Sequence, residues 1–258
     1  MFKLSGSFSG ESRKKMDKRR EYAEHWEVSS KYFYDKKYYS WMQKKVENYS
    51  VLLEVGCGTG YSTLTLLKNG HKVIALDKNN ECIEKAKALL RQNGYSIGIL
   101  PEADVCFIET DIVTEQFYSD VLNKIQFDAV ICWNIGSYWN KENIQFYLPY
   151  MLKYGLELYQ IKENIESSYG EMILWNACNI AKMRTVPVHI IDRSSEIISE
   201  SNADYYFQLA TEFGFLEVEV DNMYADSISA GGQVLVTNGN VHMERILNVI
   251  LVSVLMRF

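Results

Sequence analysis

Paired cysteines are missing from this sequence. Its five cysteines are scattered, odd in number and never spaced as C-x-x-C. A disulfide framework needs pairs and a structural zinc site needs closely spaced ligands, so neither is supported. The sequence therefore predicts reduced cysteines that act as small apolar residues, and no metal site.

Signals for export or membrane insertion are also lacking. The N-terminus, MFKLSGSFSGESRKK, has no apolar signal core. The apolar run in the tail 243–258 is shorter than the ~20 residues that span a bilayer. We therefore expect a cytoplasmic protein without a membrane span.

Positive charge is not in excess. The chain has 27 Lys and Arg residues against 33 Asp and Glu residues, which gives a formal net charge of −6. A general attraction to phosphate backbones is not indicated, so nucleic acid is an unlikely partner. The basic cluster between Arg13 and Arg20 could contact phosphate, but such a charge run is more often a solvated helix face.

Glycine and apolar residues form one clear pattern, in the segment 51–78. An apolar run typical of a buried parallel strand comes first, and a glycine-rich loop follows it. A helical pattern then ends at Asn69-Gly70, and a second apolar run ends in Asp77. The segment therefore predicts one strand–loop–helix–strand unit.

This unit has the chemistry of a nucleoside site. Glycines allow positive φ and close approach of a ligand, and the helix N-terminus favours acceptor groups. A carboxylate at Asp77 can accept hydrogen bonds from ribose hydroxyls. The order G-C-G-T-G departs from the G-x-G-x-x-G of dinucleotide sites, which weakens a nicotinamide interpretation. A tight turn without any ligand is the other alternative.

Residues 54–60, Glu-Val-Gly-Cys-Gly-Thr-Gly, together with Asp77, resemble motif I and the acid that follows it in class I S-adenosylmethionine-dependent methyltransferases. The resemblance implies an α/β, Rossmann-like fold with a seven-stranded, mostly parallel sheet, an antiparallel last strand and helices on both faces. It implies S-adenosyl-L-methionine as cofactor and S-adenosyl-L-homocysteine as product. The cofactor-binding residues that it implies in this unit are Glu54, Gly56, Cys57, Gly58, Gly60, Asp77 and Lys78.

The third strand, 105–108, is followed by an acid at Asp111. In the family, an acid here accepts a hydrogen bond from the adenine amino group, and Ile112 would add a backbone N–H and apolar contact. Asp111 could instead be the N-cap of a helix over 114–123.

The fourth strand, 127–132, begins with Phe-Asp, and we expect its Asp128 to bind neighbouring backbone. The family places the acceptor beyond this strand, where Trp133 and Asn134 would help Glu54 to hold the amino-acid end of the donor. Tyr138 and Trp139 would then contact the substrate. Enzymes that methylate amino groups of nucleic acids have Asp/Asn-Pro-Pro-Tyr here, whereas the segment 133–139 of this chain has an Asn and a Tyr at a wider spacing and no prolines.

The second half of the chain is harder to interpret. We expect the fifth strand at 170–175, a functional insertion at 176–200 with an extended stretch at 186–192, and a closing hairpin of strands at 216–220 and 231–237. The tail 243–258 is left open as a buried terminal helix or strand, a dimer contact or a non-native sequence. The domain prediction is a lid segment at 1–48, a cofactor-binding domain at 49–240 and the apolar tail at 241–258.

Aromatic residues crowd the N-terminal helical segment. In small-molecule enzymes of this family such a segment often covers donor and acceptor, so Tyr22, Trp26 and Tyr32 are substrate-contact predictions; the alternative is that they pack against the sheet. Tyr138, His25 and His189 are the possible general bases, whereas His71 and His242 are expected to be structural.

The leading hypothesis is methyl transfer to a nitrogen or oxygen atom of a small molecule. The alternatives are an RNA or protein methyltransferase and a non-catalytic module that binds the donor. The oligomeric state is left open, with a homodimer as one option.

Overall fold

The computed structural model describes residues 10–133, 143–226 and 248–258, and the side chains from residue 18 onward within them, except that of residue 248. Two helices precede the sheet, α1 (Gly10–Asp35) and α2 (Tyr38–Lys44). Strands and helices then alternate as β1 (Val51–Val55), α3 (Tyr61–Lys68), β2 (Lys72–Asp77), α4 (Asn80–Gln92), β3 (Val105–Glu109) and β4 (Ala129–Trp133). The elements after β4 are α5 (Ile144–Lys153), α6 (Leu158–Glu163), α7 (Ile165–Arg184), β5 (Val188–Ser194), α8 (Asp204–Phe213), β6 (Glu217–Asp226) and β7 (Asn248–Arg257).

These strands form one seven-stranded sheet in the order β3-β2-β1-β4-β5-β7-β6. The pairs from β3 to β5 are parallel, and β7 is antiparallel to both of its neighbours. The predicted fold is therefore confirmed. The chain order reverses beside β1, between β2 and β4, and in open α/β sheets ligands bind outside the carboxyl ends of the strands at such a point.

Helices cover both faces of the sheet. One apolar cluster contains side chains of α5, α7 and α8, such as Met151, Met172 and Leu209. The other contains side chains of α1, α2 and α3, such as Phe33, Met42 and Leu66. The N-terminal helices thus belong to the packed fold.

Two polar residues tie the first strand in place. Asp128 accepts hydrogen bonds from the backbone N–H groups of Ser50 and Val51 at 3.0 and 2.9 Å, which confirms its expected structural role. His71 is buried, and its ring nitrogens lie 2.9 Å from Gln43 Nε2 and 2.7 Å from the Tyr49 carbonyl. The structural interpretation of His71 is also confirmed.

The predicted fifth strand at 170–175 is wrong, because that segment lies inside α7. The buried residues of α7 recur with a helical period, as in Tyr169, Met172, Ile173 and Asn176. The extended stretch near 186–192 is instead β5, which pairs with β4 in parallel. Residues 176–200 are therefore not an insertion but the end of α7, strand β5 and the connection to α8.

The apolar tail is part of the sheet. Strand β7 runs between β5 and β6, and its residues from Val249 to Met256 are almost entirely buried. Of the interpretations left open for the tail, the structure selects a buried strand. The strand predicted at 231–237 lies outside the described residues.

Candidate functional site

A cleft opens at the carboxyl ends of β1, β2 and β3, and the empty space in and above it, open solvent included, is about 590 Å³. Its floor is the glycine loop after β1 and the end of β2, and its walls come from α1, α7 and the segment after β3. The residues that line it are Tyr22, Trp26, Val55, Gly56, Gly58, Leu76, Asp77, Lys78, Thr110, Asp111, Ile112, Tyr169 and Ile173.

The glycine loop is held close to its neighbours. Gly58 has φ +52°, and a Cβ on it would lie 2.3 Å from the indole nitrogen of Trp26. A Cβ on Gly60, at φ +87°, would lie 2.7 Å from that of Ala86 in α4. Gly58 therefore allows α1 to approach the loop, and Gly60 allows α4 to do so; Gly60 does not line the cleft.

Asp77 anchors the loop and also reaches the cleft. Its Oδ2 accepts the Gly58 N–H at 2.9 Å and its Oδ1 accepts the Asn79 N–H at 2.8 Å. Burial raises the pKa of this carboxyl, and the two N–H donors act in the opposite direction. The carboxylate can still accept further bonds, because each oxygen has a second lone pair.

Glu54 faces the protein interior rather than the cleft. Its two oxygens accept the hydroxyls of Ser62 at 2.5 Å and Thr63 at 2.6 Å, at the start of α3. The residue is only 2% exposed, and burial raises its pKa to about 7. Glu54 therefore ties β1 to α3, and the structure does not bring it to the cleft. Cys57 is likewise buried and does not line it.

One lysine, two tyrosines and one carboxylate form a cluster at the cleft, which Lys78, Asp111 and Tyr169 line. Lys78 Nζ lies 2.5 Å from the Tyr169 hydroxyl and 3.1 Å from the Tyr147 hydroxyl. The Tyr147 hydroxyl donates to Asp111 Oδ2 at 2.6 Å. Burial lowers the pKa of Lys78 to about 8, while Asp111 favours its charged form.

Asp111 is not the cap of an α-helix over 114–123. Residues Phe117–Val121 form a π-helical turn, and the Phe117 N–H bonds to the Thr114 hydroxyl at 3.3 Å. Asp111 Oδ1 accepts only the nearby Val113 N–H, at 3.3 Å. Asp111 and Ile112 both line the cleft, where the family resemblance puts adenine.

Helix α1 forms one wall of the cleft. Tyr22 and Trp26 lie one helical turn apart and both line it. The helix is fixed to the loop by a 2.6 Å hydrogen bond between the Ser30 and Thr59 hydroxyls. Tyr32 lies elsewhere, because its hydroxyl donates to Asp226 Oδ2 at 2.5 Å, and it does not line the cleft.

Two of the possible general bases, His25 and His189, do not lie in the cleft. His25 is exposed on α1. His189 is 0% exposed, accepts the Trp133 indole N–H at 2.9 Å and contacts the Ser253 hydroxyl at 2.8 Å. Burial lowers the pKa of His189 to about 3, so it is a neutral structural residue rather than a base. The same contact turns the Trp133 side chain away from the cleft. Asn134, Tyr138 and Trp139 lie outside the described residues.

Sequence reasoning missed Tyr169 and Ile173, the two cleft residues of α7. It missed them because the segment beside them was interpreted as a strand. Their four-residue spacing, repeated by other apolar residues of α7, is the signal of one helix face that could have identified them.

In ranges 10–133, 143–226 and 248–258, no group of three His, Cys, Asp or Glu residues is arranged to hold a metal ion. Among the helices of those ranges, none is long and apolar enough to cross a membrane.

The cleft fits a nucleoside ligand. Its glycine loop leaves no side chain between the backbone of Gly56 and the ligand space, two carboxylates at Asp77 and Asp111 lie along it, and Val55, Leu76 and Ile112 supply apolar surface. Such an arrangement suits a ligand that carries hydroxyl and amino donors on an apolar ring system.

A family model described as a methyltransferase domain matches residues 52–153. This segment contains β1 to β4 and most of the cleft residues. No protein with a curated description matches the sequence.

Several solved structures are similar to this chain at low identity. The magnesium protoporphyrin IX methyltransferase of Synechocystis PCC 6803 is 10% identical with a TM-score of 0.45, over 89% of this chain and 81% of that one. The N-methyltransferase NodS of Bradyrhizobium japonicum WM9 is 12% identical with a TM-score of 0.45, over 87% and 97%. A precorrin 8W decarboxylase of Methanobacterium thermoautotrophicum is 17% identical with a TM-score of 0.43, over 81% and 82%.

Proposed function

We propose that this chain, whose residues 52–153 match a methyltransferase domain, is a class I S-adenosylmethionine-dependent methyltransferase that moves the donor's methyl group to a nitrogen or oxygen atom of a small molecule. The observation that carries this proposal is the position of α1 across the glycine loop. Tyr22 and Trp26 wall the cleft on that side and so limit the space beside the donor. This wall and a net charge of −6 favour a small acceptor over a nucleic acid.

When bound, the donor supplies a methyl group on a sulfonium. Asp77 would hold the ribose hydroxyls, and Asp111 would accept from the adenine amino group. Gly56 and Gly58 would let the donor approach the backbone. Lys78 and Tyr169 close the end of the cleft beside Asp111.

Alignment is the main requirement of methyl transfer, because it is an in-line displacement. Holding two reactants in the correct geometry can supply effective molarities of ~10⁵ M or more. A neutral amine acceptor needs no dedicated base, whereas a hydroxyl acceptor is helped by one. Tyr138 remains our proposal for that role.

Labelled methyl donor distinguishes the acceptor classes. Cell extract would be divided into low-mass, RNA and protein fractions, and each would be incubated with the protein and the labelled donor. We expect label in the low-mass fraction, identified by mass spectrometry. Label only in RNA or protein would overturn the small-molecule proposal. Donor binding by calorimetry without label in any fraction would favour a non-catalytic binding module.

The donor role of Asp77 is tested with Asp77→Ala. We expect the affinity for S-adenosylhomocysteine, measured by calorimetry, to fall roughly tenfold or more, because a charged acceptor is lost and the Gly58 N–H loses its partner. The matched control is Asp120→Ala, an exposed acid that bonds only to the neighbouring Ser119 hydroxyl. Unchanged affinity in Asp77→Ala would contradict the proposed site.

A further inference from the structure

Arg193 lies at the acceptor edge of the sheet without a role in the site described above. It is near the carboxyl end of β5, which is separated from β1 by one strand, β4. Adjacent strands are ~4.8 Å apart, so the ends of β1 and β5 are roughly 10 Å apart along this edge. An arginine side chain at β5 is thus within one small molecule's length of a donor bound over β1.

The guanidinium of Arg193 is partly buried. Within the part of the chain that the structure describes, it makes no hydrogen bond and no ion pair. The backbone N–H of Arg193 donates to Asp192 Oδ1 at 2.7 Å. Two other described arginines, Arg184 and Arg257, differ. Arg184 donates to the carbonyl of Ile125 at 3.1 Å, and Arg257 pairs with Glu219 at 3.0 Å.

The neighbouring carboxylate does not replace such an acceptor. Side chains alternate along a strand, so Asp192 and Arg193 point to opposite faces of the sheet. Asp192 Oδ2 accepts the Tyr206 hydroxyl at 3.0 Å, on the α8 side. Burial lowers the pKa of Arg193, and the groups that oppose this effect are Asp192 and Tyr22.

Arg193 lies on the side of the sheet that α1 covers. Its strand partner is Leu251, which belongs to the apolar cluster that contains Phe33 of α1. Helix α1 also supplies Tyr22 and Trp26 to the donor cleft. A partly buried cation without an acceptor is costly, and a guanidinium fork matches the two oxygens of a carboxylate or phosphate.

We propose that Arg193 binds a carboxylate or phosphate group of the methyl acceptor, so that the substrates of this enzyme are small anions. The claim that the bound anion is the methyl acceptor rests on the proposed function. Anion binding itself can be measured without turnover. Arg193 is in this sense a positioning residue. It fixes one end of the acceptor while the nucleophilic atom lies toward the donor.

The test uses matched fragments on the full chain saturated with S-adenosylhomocysteine. Benzoate and phenyl phosphate carry the anionic group, and benzamide has the same ring without charge. Binding would be measured by ligand-observed magnetic resonance and by calorimetry. We expect one or both anions to bind and benzamide to bind roughly tenfold or more weakly. The stronger of benzoate and phenyl phosphate identifies the anionic group.

Variants assign the binding to Arg193. Arg193→Met and Arg193→Gln should each lose roughly tenfold or more in anion affinity, and Arg193→Lys should restore part of it because charge returns without the fork. Two neutral variants are used in case one fails to fold, as judged by S-adenosylhomocysteine binding. The control is Arg91→Met, an exposed arginine in the last turn of α4. Equal anion affinity in the wild type and a folded neutral variant, or no anion binding by the wild type, would overturn the proposal.

Failure of the two proposals is distinguishable. Anion binding that depends on Arg193, without methyl transfer to any fraction, would support the anion site and contradict the proposed methyltransferase activity. Methyl transfer to a neutral or cationic small molecule, with no effect of Arg193→Met on its KM, would support the methyltransferase activity and overturn the anion site.

Discussion

At the scale of single residues, the glycine loop depends on contacts that a larger side chain would not permit. Gly58 lies under the Trp26 indole, and its N–H binds Asp77. Asp77 therefore has two functions, since it fixes the loop and faces the ligand. The sequence indicates only the second of these. Glu54 shows the opposite result. It stands in the motif that the sequence assigns to the donor, but its carboxylate accepts the hydroxyls of Ser62 and Thr63 in the interior.

Substitution of Gly58 separates backbone strain from crowding. Gly58→Ala should lower the free energy of unfolding by roughly 1–2 kcal/mol for the positive φ, and by roughly 1–3 kcal/mol more for the clash with Trp26. Gly94→Ala is the matched control, because Gly94 also has positive φ (+83°) but a Cβ there would meet nothing within 4 Å. Urea unfolding measures both. Equal losses in the two variants would show that Trp26 does not crowd the loop.

Glu54 makes stability depend on pH. Its pKa of about 7 in the folded chain lies above its ordinary value of 4.5, so the folded state keeps a proton that the unfolded chain releases. This contribution is full below the unfolded pKa and is lost as pH rises through about 7. Glu54→Gln, which is always neutral, should gain up to about 3 kcal/mol relative to the wild type between about pH 5 and about pH 8.

The measurement is urea unfolding of both proteins across that pH range. Glu102→Gln, at an exposed position, is the control and should follow the wild-type curve. Parallel pH curves for Glu54→Gln and the wild type would show that Glu54 is ionised in the folded state throughout.

At the scale of elements, the sequence predictions are accurate up to β4 and less accurate after it. The elements from β1 to β4 were predicted within a few residues, because each combines a short apolar run with local stop signals such as Asn69-Gly70. The apolar run at 172–175 misled the prediction because four apolar residues in a row fit a strand or a buried helix equally well. The tail was ambiguous for the same reason, since a strand buried on both faces has no alternation.

Strand β7 should be essential for folding, because it pairs with both β5 and β6. Val252→Asp places a charge at a position that is 0% exposed and should cost roughly 4 kcal/mol or more. Leu216→Asp is the control, because Leu216 is 84% exposed and should change stability by only about 0.5 kcal/mol. Thermal unfolding and soluble yield are the measurements. A Val252→Asp protein as stable as the control would contradict the position of β7 in the sheet.

At the scale of the whole molecule, the cleft brings together parts of the chain that are far apart in sequence. Tyr22 comes from α1, Asp77 from β2, Asp111 from the segment after β3 and Tyr169 from α7. A ligand of this cleft binds the folded chain but not the unfolded chain, because these groups are brought together only by folding. Ligand binding must therefore stabilise the entire fold.

Thermal unfolding with S-adenosylhomocysteine measures this linkage. At a concentration of about 100 times its Kd the ligand should add about 2.7 kcal/mol, which raises the Tm by roughly 5–10 °C in a domain of this size. NAD is the matched control ligand and should leave the Tm unchanged. A Tm that rises with NAD and not with S-adenosylhomocysteine would favour the nicotinamide alternative.

Local sequence patterns were enough to predict the first half of the sheet, the glycine loop and the acids at Asp77 and Asp111. These features are local, since each depends on residues within one strand–loop–helix unit. The tertiary structure alone decided that Glu54 and His189 are interior residues, that Tyr169 lies in the cleft, and that the tail is a central strand. Burial and hydrogen-bond partners decided each case, and both are set by segments that meet only after folding.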